Sequence, residues 1–229
     1  MKKLRVLLSL LGVALAISVC GAQAGGIALG GTRIIYPADA TQTSLSVRNT
    51  SQKDVFLIQS WVSDAKGQKS HDFIVTPPLF VMNPGKENTL RLELTGKPAW
   101  PADRESLYYF NSKAIPSTPA VVGSHNSLQI ATETIIKMFI RPAGLSLPVA
   151  DAAAKLSCHT SGTNITINNP SPYYISMVNL LADSEKLPSA MVAPKSSLVV
   201  HSRVPAGKLS FQTINDYGAV SSRHLCQNG

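Results

Sequence analysis

The sequence predicts an all-β protein made of two sandwich domains joined by a short linker. Three observations predict this fold class. Short segments alternate between apolar and polar side chains, Gly and Pro each occur 15 times, and aromatic residues make up only 6% of the chain. Alternation with period two is typical of half-buried strands, and Gly and Pro mark the turns between them. A hydrophobic fraction of 44% is enough to bury a core, which excludes a disordered chain.

The first 24 residues are predicted to be a signal peptide that is removed on export. They contain three basic residues, an apolar run over 6–19 and the cleavage signal Ala22-Gln23-Ala24. The apolar run is too short to span a membrane as a helix, and no later segment is long and apolar enough, so we expect no membrane insertion. Removal of the three basic residues lowers the formal net charge from +8 to +5. Without a run of Lys and Arg, this charge does not favour nucleic acid as a partner.

About seven strands are predicted before Pro142. Alternation indicates strands at 44–49 and 89–94, where three leucines of the second segment face inward. The apolar run at 55–62 is typical of a strand covered on both faces. Further strands are predicted at 106–111 and 127–140. The two prolines at 77 and 78 predict a change of strand direction, which is compatible with a cis peptide bond.

The Pro- and Gly-rich segment 141–148 is predicted to be the linker. The N-terminal domain then covers 25–142 and the C-terminal domain covers 143–229, and both lengths fit an immunoglobulin-like sandwich. A short helix is predicted at 150–155. The strand pattern resumes at 164–168, 173–181, 197–201, 208–215 and 221–226.

Two cysteines remain after the signal peptide, Cys158 and Cys226. In an exported chain an isolated pair of cysteines predicts a disulfide bond. Metal binding stays an alternative because His159 and His224 lie close to the cysteines, although neither cysteine belongs to a C-x-x-C motif.

The sequence contains no recognisable motif for catalysis or for a cofactor. G-x-S-x-G, H-E-x-x-H and a phosphate-binding glycine loop are all absent, so we expect no enzyme, no cofactor and no metal. Two cations stand out instead, because Arg33 and Lys137 each interrupt an apolar, strand-like segment. A charge buried within a strand is costly unless it is paired. Each of these cations therefore either faces water or binds an anion.

Several motifs follow one another over nearly the whole mature chain. They are P-A-D-R-E-S-L-Y-Y-F-N at 101–111, L-Q-I-A at 128–131, K-M-F-I-R-P at 137–142, N-P-S-P-Y-Y at 169–174 and I-N-D-Y-G at 214–218. In this order they resemble the PapD-like periplasmic chaperones of the chaperone–usher pilus pathway. The short connection at 116–127 is similar to that of the short-loop class of this family.

The resemblance implies two immunoglobulin-like β-sandwich domains at an angle, with a cleft between them. In that family an arginine and a lysine anchor the C-terminal carboxylate of a pilus subunit, and the matching residues here are Arg33 and Lys137. The last strand of the first domain is lent to the subunit through main-chain hydrogen bonds. The matching donor side chains are Leu128, Ile130, Thr132, Thr134 and Ile136.

Two positions depart from the family pattern. Thr132 stands where a large apolar residue is usual, and Ser112 stands where an aliphatic residue is usual. Thr fills an apolar groove less well, which affects the strength or the choice of subunit and leaves the mode of binding unchanged.

A charged cluster that the family uses between its domains is matched by Glu105, Arg141 and Asp216. An arginine shared by two carboxylates could fix the angle between the domains. The alternative is three surface charges that contribute little.

The resemblance therefore implies a non-enzymatic periplasmic chaperone. It is expected to cap pilus subunits by donor-strand complementation and to deliver them to an outer-membrane usher. The alternative is a secreted immunoglobulin-like pilus subunit or adhesive module, which would have a single sandwich with an N-terminal donor extension. A hydrolase on a β-sandwich is a third class, but no catalytic constellation supports it.

Overall fold

Two hydrophobic cores organise the chain. The structure, a computed structural model, describes residues 25–96, 98–117, 129–205 and 207–228. The predicted signal peptide, the donor residue Leu128 and most of the connection at 116–127 lie outside these ranges. Buried side chains of the first core lie between Ile34 and Ile140, and those of the second lie between Ala152 and Cys226. The predicted all-β fold with two domains is confirmed.

The first domain is a sandwich of two sheets. One sheet has the strand order β1 (Ile27–Leu29), β3 (Gln42–Asn49), β7 (Glu87–Leu94) and β5 (Phe73–Thr76). The other has the order β2 (Arg33–Pro37), β9 (Thr132–Arg141), β8 (Ser106–Pro116), β4 (Phe56–Asp64) and β6 (Leu79–Met82). Within these sheets β2 and β9 are parallel, and the other paired strands are antiparallel. Between β5 and β6 the chain passes from one sheet to the other, and there the Thr76–Pro77 peptide bond is cis.

Alternation along the strands builds the first core as predicted. In β7, Leu90 and Leu92 are fully buried, whereas Arg91 between them is exposed. In β3, Leu45 and Val47 are buried opposite this strand. Each such aliphatic side chain contributes about 1.5–3 kcal/mol to stability when it is removed from water. Packing of this core therefore determines which side chains of each strand face inward and which face outward.

The crossing from β1 to β2 leaves part of β9 without a neighbour. β2 begins at Arg33, opposite Lys137, whereas β1 pairs with β3 in the other sheet. The crossing passes through Gly30, where an added Cβ would lie 2.2 Å from Ser46 Oγ, so a side chain here would require the Ser46 hydroxyl to rotate away. Over 132–136, no strand of the described chain pairs with β9 on the side of β2.

The second domain has the same layered construction. One sheet has the order β15 (Ser196–His201), β11 (Asn164–Asn169), β10 (Ser157–Ser161) and β18 (Gln227–Asn228). The other has the order β13 (Glu185–Lys186), β12 (Ile175–Ala182), β16 (Leu209–Thr213) and β17 (His224–Leu225), and β14 (Ala190–Val192) also pairs with β12. The predicted helix is present as α1 (Val149–Ala152), followed by a 3-10 turn at Ala153–Lys155. Among the residues that the structure describes, no helix is long and apolar enough to cross a membrane.

Cys158 and Cys226 form a disulfide bond within the second domain. Their Cα atoms are 5.8 Å apart, and both residues are buried against the second core. The predicted pairing is confirmed. Because the two sulfur atoms are bonded to each other, they are not available as thiolate ligands, and this excludes the alternative of a metal site at these cysteines. The two residues are 68 positions apart, and closing a loop of that length stabilises the fold by about 4 kcal/mol on the chain-entropy model.

Candidate functional site

Arg33 and Lys137 lie side by side in the cleft between the domains. They are Cα partners in the parallel pair of β2 and β9, so their side chains leave the sheet on the same face. Both side chains reach the second domain. Arg33 Nη1 donates to the carbonyl oxygen of Ile214 at 2.9 Å, and Lys137 Nζ donates to Ser176 Oγ at 3.3 Å. The structure therefore brings the two predicted cations together at one place.

These two cations are not neutralised by a carboxylate. Neither forms a salt bridge with an acidic side chain of the described ranges. Desolvation lowers the pKa of Arg33, although attraction from Asp216 and Glu105 opposes this shift. Desolvation, with repulsion from Arg33 as the second cause, lowers the pKa of Lys137. Arg33 Nε is buried and has no hydrogen-bond partner in the described part of the chain. Such an arrangement favours the binding of an anion.

Four residues further along β9, Arg141 is the centre of a paired charged cluster. Its Nε donates to Glu105 Oε1 at 2.7 Å, and its Nη1 and Nη2 donate to the two carboxylate oxygens of Asp216 at 2.6 and 2.9 Å. Burial alone would lower the pKa of Arg141, but hydrogen bonds and charges of Asp216 and Glu105 raise it. Glu105 and Arg141 come from the first domain and Asp216 from the second, so the cluster joins the domains.

Glu105 is the most deeply buried member of this cluster. Its side chain is 1% exposed, and its Oε2 accepts a hydrogen bond from the backbone N–H of Tyr174 at 2.9 Å. Desolvation raises the pKa of Glu105, and attraction from Arg141 opposes the shift. A carboxylate at this depth needs its cation, because an unpaired buried charge is costly. This burial argues against the alternative of three unimportant surface charges.

The predicted donor side chains of β9 divide into an exposed and a buried set. Ile130 is 67% exposed, and Thr132 and Thr134 are exposed as well. Ile136 is only 8% exposed and belongs to the first core, so in the free chain it differs from the other described donor side chains. The reason is that the first core already covers β9 at this point. Leu128 lies outside the described residues.

Sequence patterns do not reveal several contributors to the cleft. The ring of Tyr174 stacks on Phe139 with centroids 5.5 Å apart and an angle of 25° between the planes. Tyr174 lies in the N-P-S-P-Y-Y motif, which is the signal that could have indicated it. Ile214 takes part through its carbonyl oxygen and Ser176 through a contact across the domains, and neither contact leaves a pattern along the chain.

Two family descriptions match the chain in order and cover both domains. Residues 26–146 match "Pili and flagellar-assembly chaperone, PapD N-terminal domain", and residues 151–225 match "Pili assembly chaperone PapD, C-terminal domain".

Individual relatives match over nearly the full length. The chain is 47% identical over 213 residues to "Probable fimbrial chaperone SfmC" of Escherichia coli (strain K12), with 90% of each chain covered. The solved structure of the periplasmic chaperone SfaE has a TM-score of 0.77 and 39% identity, and covers 88% of this chain and 100% of that one. The SafB chaperone of Salmonella enterica, solved in complex with the SafA pilin, has a TM-score of 0.78 and 27% identity, covering 87% and 95%.

Proposed function

The chain belongs to the PapD-like family of pilus-assembly chaperones, and on this premise we propose that it caps fimbrial subunits by donor-strand complementation. It acts in the bacterial periplasm and delivers the subunits to an outer-membrane usher. The observation that carries this proposal is the free edge of β9, which ends at Arg33 and Lys137. This family is not an enzyme class, and matches to chaperones over both domains disfavour a pilus subunit or adhesive module.

Strand addition on this edge explains how a subunit is held. An incoming strand can pair with residues 132–136 of β9 on the side that β2 leaves open. Main-chain hydrogen bonds then supply affinity, and alternate side chains supply the fit. A strand whose C-terminus lies at Arg33 and Lys137 runs in the same direction as β9. It is therefore parallel to β9 and continues the line of β2.

The two cations supply the anchor for the terminal carboxylate. Arg33 Nε is a buried donor without a partner in the described chain, and the ammonium group of Lys137 lies on the neighbouring strand. Hydrogen bonds between charged groups are roughly twice as strong as those between neutral groups. A carboxylate also removes the repulsion between the two cations. Because the anchor fixes where the incoming strand ends, it fixes the register, and a slip of one residue would turn every side chain to the wrong face.

The side chains offered to the subunit are those that precede the part of β9 packed in the first core. On this register they are Leu128, Ile130, Thr132 and Thr134. The exposure of the two threonines on the free edge of β9 supports this role, and so does the exposed apolar side chain of Ile130, two residues before the strand begins. Ile136 packs in the chaperone's own first core.

The anchor is tested by subunit retention. Arg33→Ala and Lys137→Ala are each expressed with a tagged fimbrial subunit from the same bacterium, and the subunit that copurifies from the periplasm is quantified. We expect at least about a thirtyfold loss of affinity for each variant, because truncating one partner of a desolvated charged contact costs about 2–5 kcal/mol. Arg48→Ala is the matched control, since Arg48 is an exposed cation on β3 in the other sheet.

Circular dichroism establishes that each variant is folded. Normal retention by folded Arg33→Ala and Lys137→Ala variants would contradict the carboxylate anchor. An equal loss with Arg48→Ala would show that net charge, and not the position of the cations, controls retention.

A further inference from the structure

We propose that the cleft contains a pocket for the side chain of the subunit's last residue, and that this pocket selects a large uncharged side chain, with an aromatic ring preferred. The inference rests on the proposed function, because that function places the terminal carboxylate between Arg33 and Lys137. It adds a source of subunit choice that does not depend on the donor side chains of β9.

A cavity of about 340 Å³ lies at the junction of the domains, with Arg33 in its wall. This volume falls at the lower end of the range of roughly 300–1,000 Å³ for pockets that hold small ligands. Apolar groups make up much of its lining. They include Phe139, Ala153, Tyr174, Ile175 and Ile214.

The cavity extends from the anchor toward the Arg141 cluster. Lys137, Phe139 and Arg141 point to the same face of β9, and each is about 6.6–7 Å from the next along the strand. Phe139 and Arg141 line the cavity, whereas Lys137 is not among its lining residues. The cavity therefore lies beside Arg33 of the anchor, on the side of Lys137 toward the Arg141 cluster.

Arg33 connects the anchor to the cavity. Its Nη1 is held by the carbonyl oxygen of Ile214, a wall residue, while its Nε is free to donate. An incoming strand cannot continue past this point on the same edge, because β2 already pairs with β9 from Lys137 onward. The side chain of a terminal residue anchored here has the cavity directly beside it on the cleft face.

The charges in the wall indicate which side chain is accepted. Arg141 is saturated by Glu105 and Asp216, and Arg33 is assigned to the terminal carboxylate. A charged side chain would find no free counter-ion and would be desolvated at a cost. The half-buried ring of Tyr174, which stacks on the buried ring of Phe139, gives an aromatic side chain an apolar surface to contact. A small side chain would leave this surface uncovered.

The inference is tested with synthetic peptides and the mature chain. All peptides share one alternating Val and Thr segment and end in Gly, Tyr, Lys or Asp, each as a free carboxylate and as a carboxamide. Binding is measured by fluorescence anisotropy. We expect the Tyr peptide to bind at least about tenfold more tightly than the Gly peptide, and the Lys and Asp peptides to bind no better than Gly.

Two alanines of the 3-10 turn give a matched pair of variants. Ala153 is half-buried and lines the cavity, whereas Ala154 is exposed and is not among the lining residues. Ala153→Leu fills the cavity, so the preference for Tyr over Gly should fall below about threefold. Ala154→Leu should keep the full preference.

The outcomes separate this inference from the proposed function. If the Gly and Tyr carboxylates bind the wild type equally and their carboxamides do not bind, the pocket is disproved and the anchor stands. If the carboxamides bind as well as the carboxylates, or if no peptide binds, the anchor itself is contradicted. A Tyr preference that survives Ala153→Leu would overturn the assignment of the pocket to this cavity.

Discussion

In its second half, from Lys137 onward, β9 pairs with β2 on one side and β8 on the other, whereas its first half pairs, among the strands that the structure describes, with β8 alone. The side chains follow the same division. Met138 and Ile140 are fully buried, while Thr132 and Thr134 are exposed. One half of the strand is built into the protein, and the other half has the free edge and exposed side chains that a second chain can use.

A similar contrast separates the two cationic sites on the cleft face, which are Arg141 and the pair of Arg33 and Lys137. Arg141 is held by two carboxylates, which raise its pKa, whereas desolvation lowers the pKa values of Arg33 and Lys137. A cation with its partners in place holds the fold together. Two adjacent cations that form no salt bridge with a carboxylate of the described chain cost stability, and an anion that binds them offsets this cost. Stability and binding therefore depend on different cations of the same strand face, Arg141 for the first and Lys137 with Arg33 for the second.

The largest effect is expected from Arg141→Ala. This change removes the partner of Glu105, whose side chain is 1% exposed, and it also releases Asp216 of the second domain. We expect the free energy of unfolding to fall by about 3–5 kcal/mol, because breaking a buried pair leaves an uncompensated charge. Urea unfolding measures this loss, and X-ray scattering tests whether the angle between the domains changes.

An exposed arginine supplies the control for this variant. Arg91 forms a salt bridge with Glu93 at 3.5 Å, and both side chains are more than 40% exposed, so Arg91→Ala should change stability by less than about 1 kcal/mol. Equal effects of Arg141→Ala and Arg91→Ala, with unchanged scattering, would make the cluster a set of surface charges and remove the contrast with the anchor.

A smaller effect is expected from Thr132→Ile in the exposed half of β9. Ile adds apolar surface on the face offered to the subunit, which is worth about 0.8 kcal/mol per buried CH₂. Subunit retention should be preserved or increase by up to about fivefold, with little change in the stability of the free chaperone. Glu133 points to the opposite face, so Glu133→Gln is the matched control and should leave retention unchanged. A clear loss of retention in Thr132→Ile would contradict the proposed register.

The sequence was sufficient for the fold and for the main parts of the site. Alternation predicted the strands around Leu45 and Leu90, and the ordered motifs indicated Arg33, Lys137 and the Arg141 cluster. The burial of Ile136 was not foreseen, because alternation tells which face a side chain takes, and it does not tell where along the strand the core begins.

Contacts between distant segments were also beyond the sequence. Ser112 departs from the family pattern, yet its Oγ lies 3.5 Å from Ser60 Oγ on the neighbouring strand, where both are buried. The strand predicted at 221–226 is reduced to β17, because Ser221 Oγ instead accepts a hydrogen bond from the backbone N–H of Thr213. Each contact depends on which strands become neighbours, and no local pattern specifies that.

The smallest effect is expected from Lys137→Met, and its sign is opposite to that of Arg141→Ala. The pKa of Lys137 is lowered in the folded chain by desolvation and by Arg33, so its charge weakens the fold while both states are protonated. As pH rises through the lowered pKa, the folded state loses this proton before the unfolded state does, and wild-type stability increases until the unfolded lysine also titrates near pH 10.5. Lys137→Met should therefore be slightly more stable than the wild type at pH 7, and the difference should shrink toward pH 10.5.

Urea unfolding of both proteins across this range measures the difference, with Lys86→Met as the control because Lys86 is exposed in a turn. A difference that does not vary with pH would mean that the charge of Lys137 is not the cause. A destabilised Lys137→Met variant would mean that the cation of Lys137 already has a stabilising partner in the folded chain. The contrast between Lys137 and Arg141 would then fail.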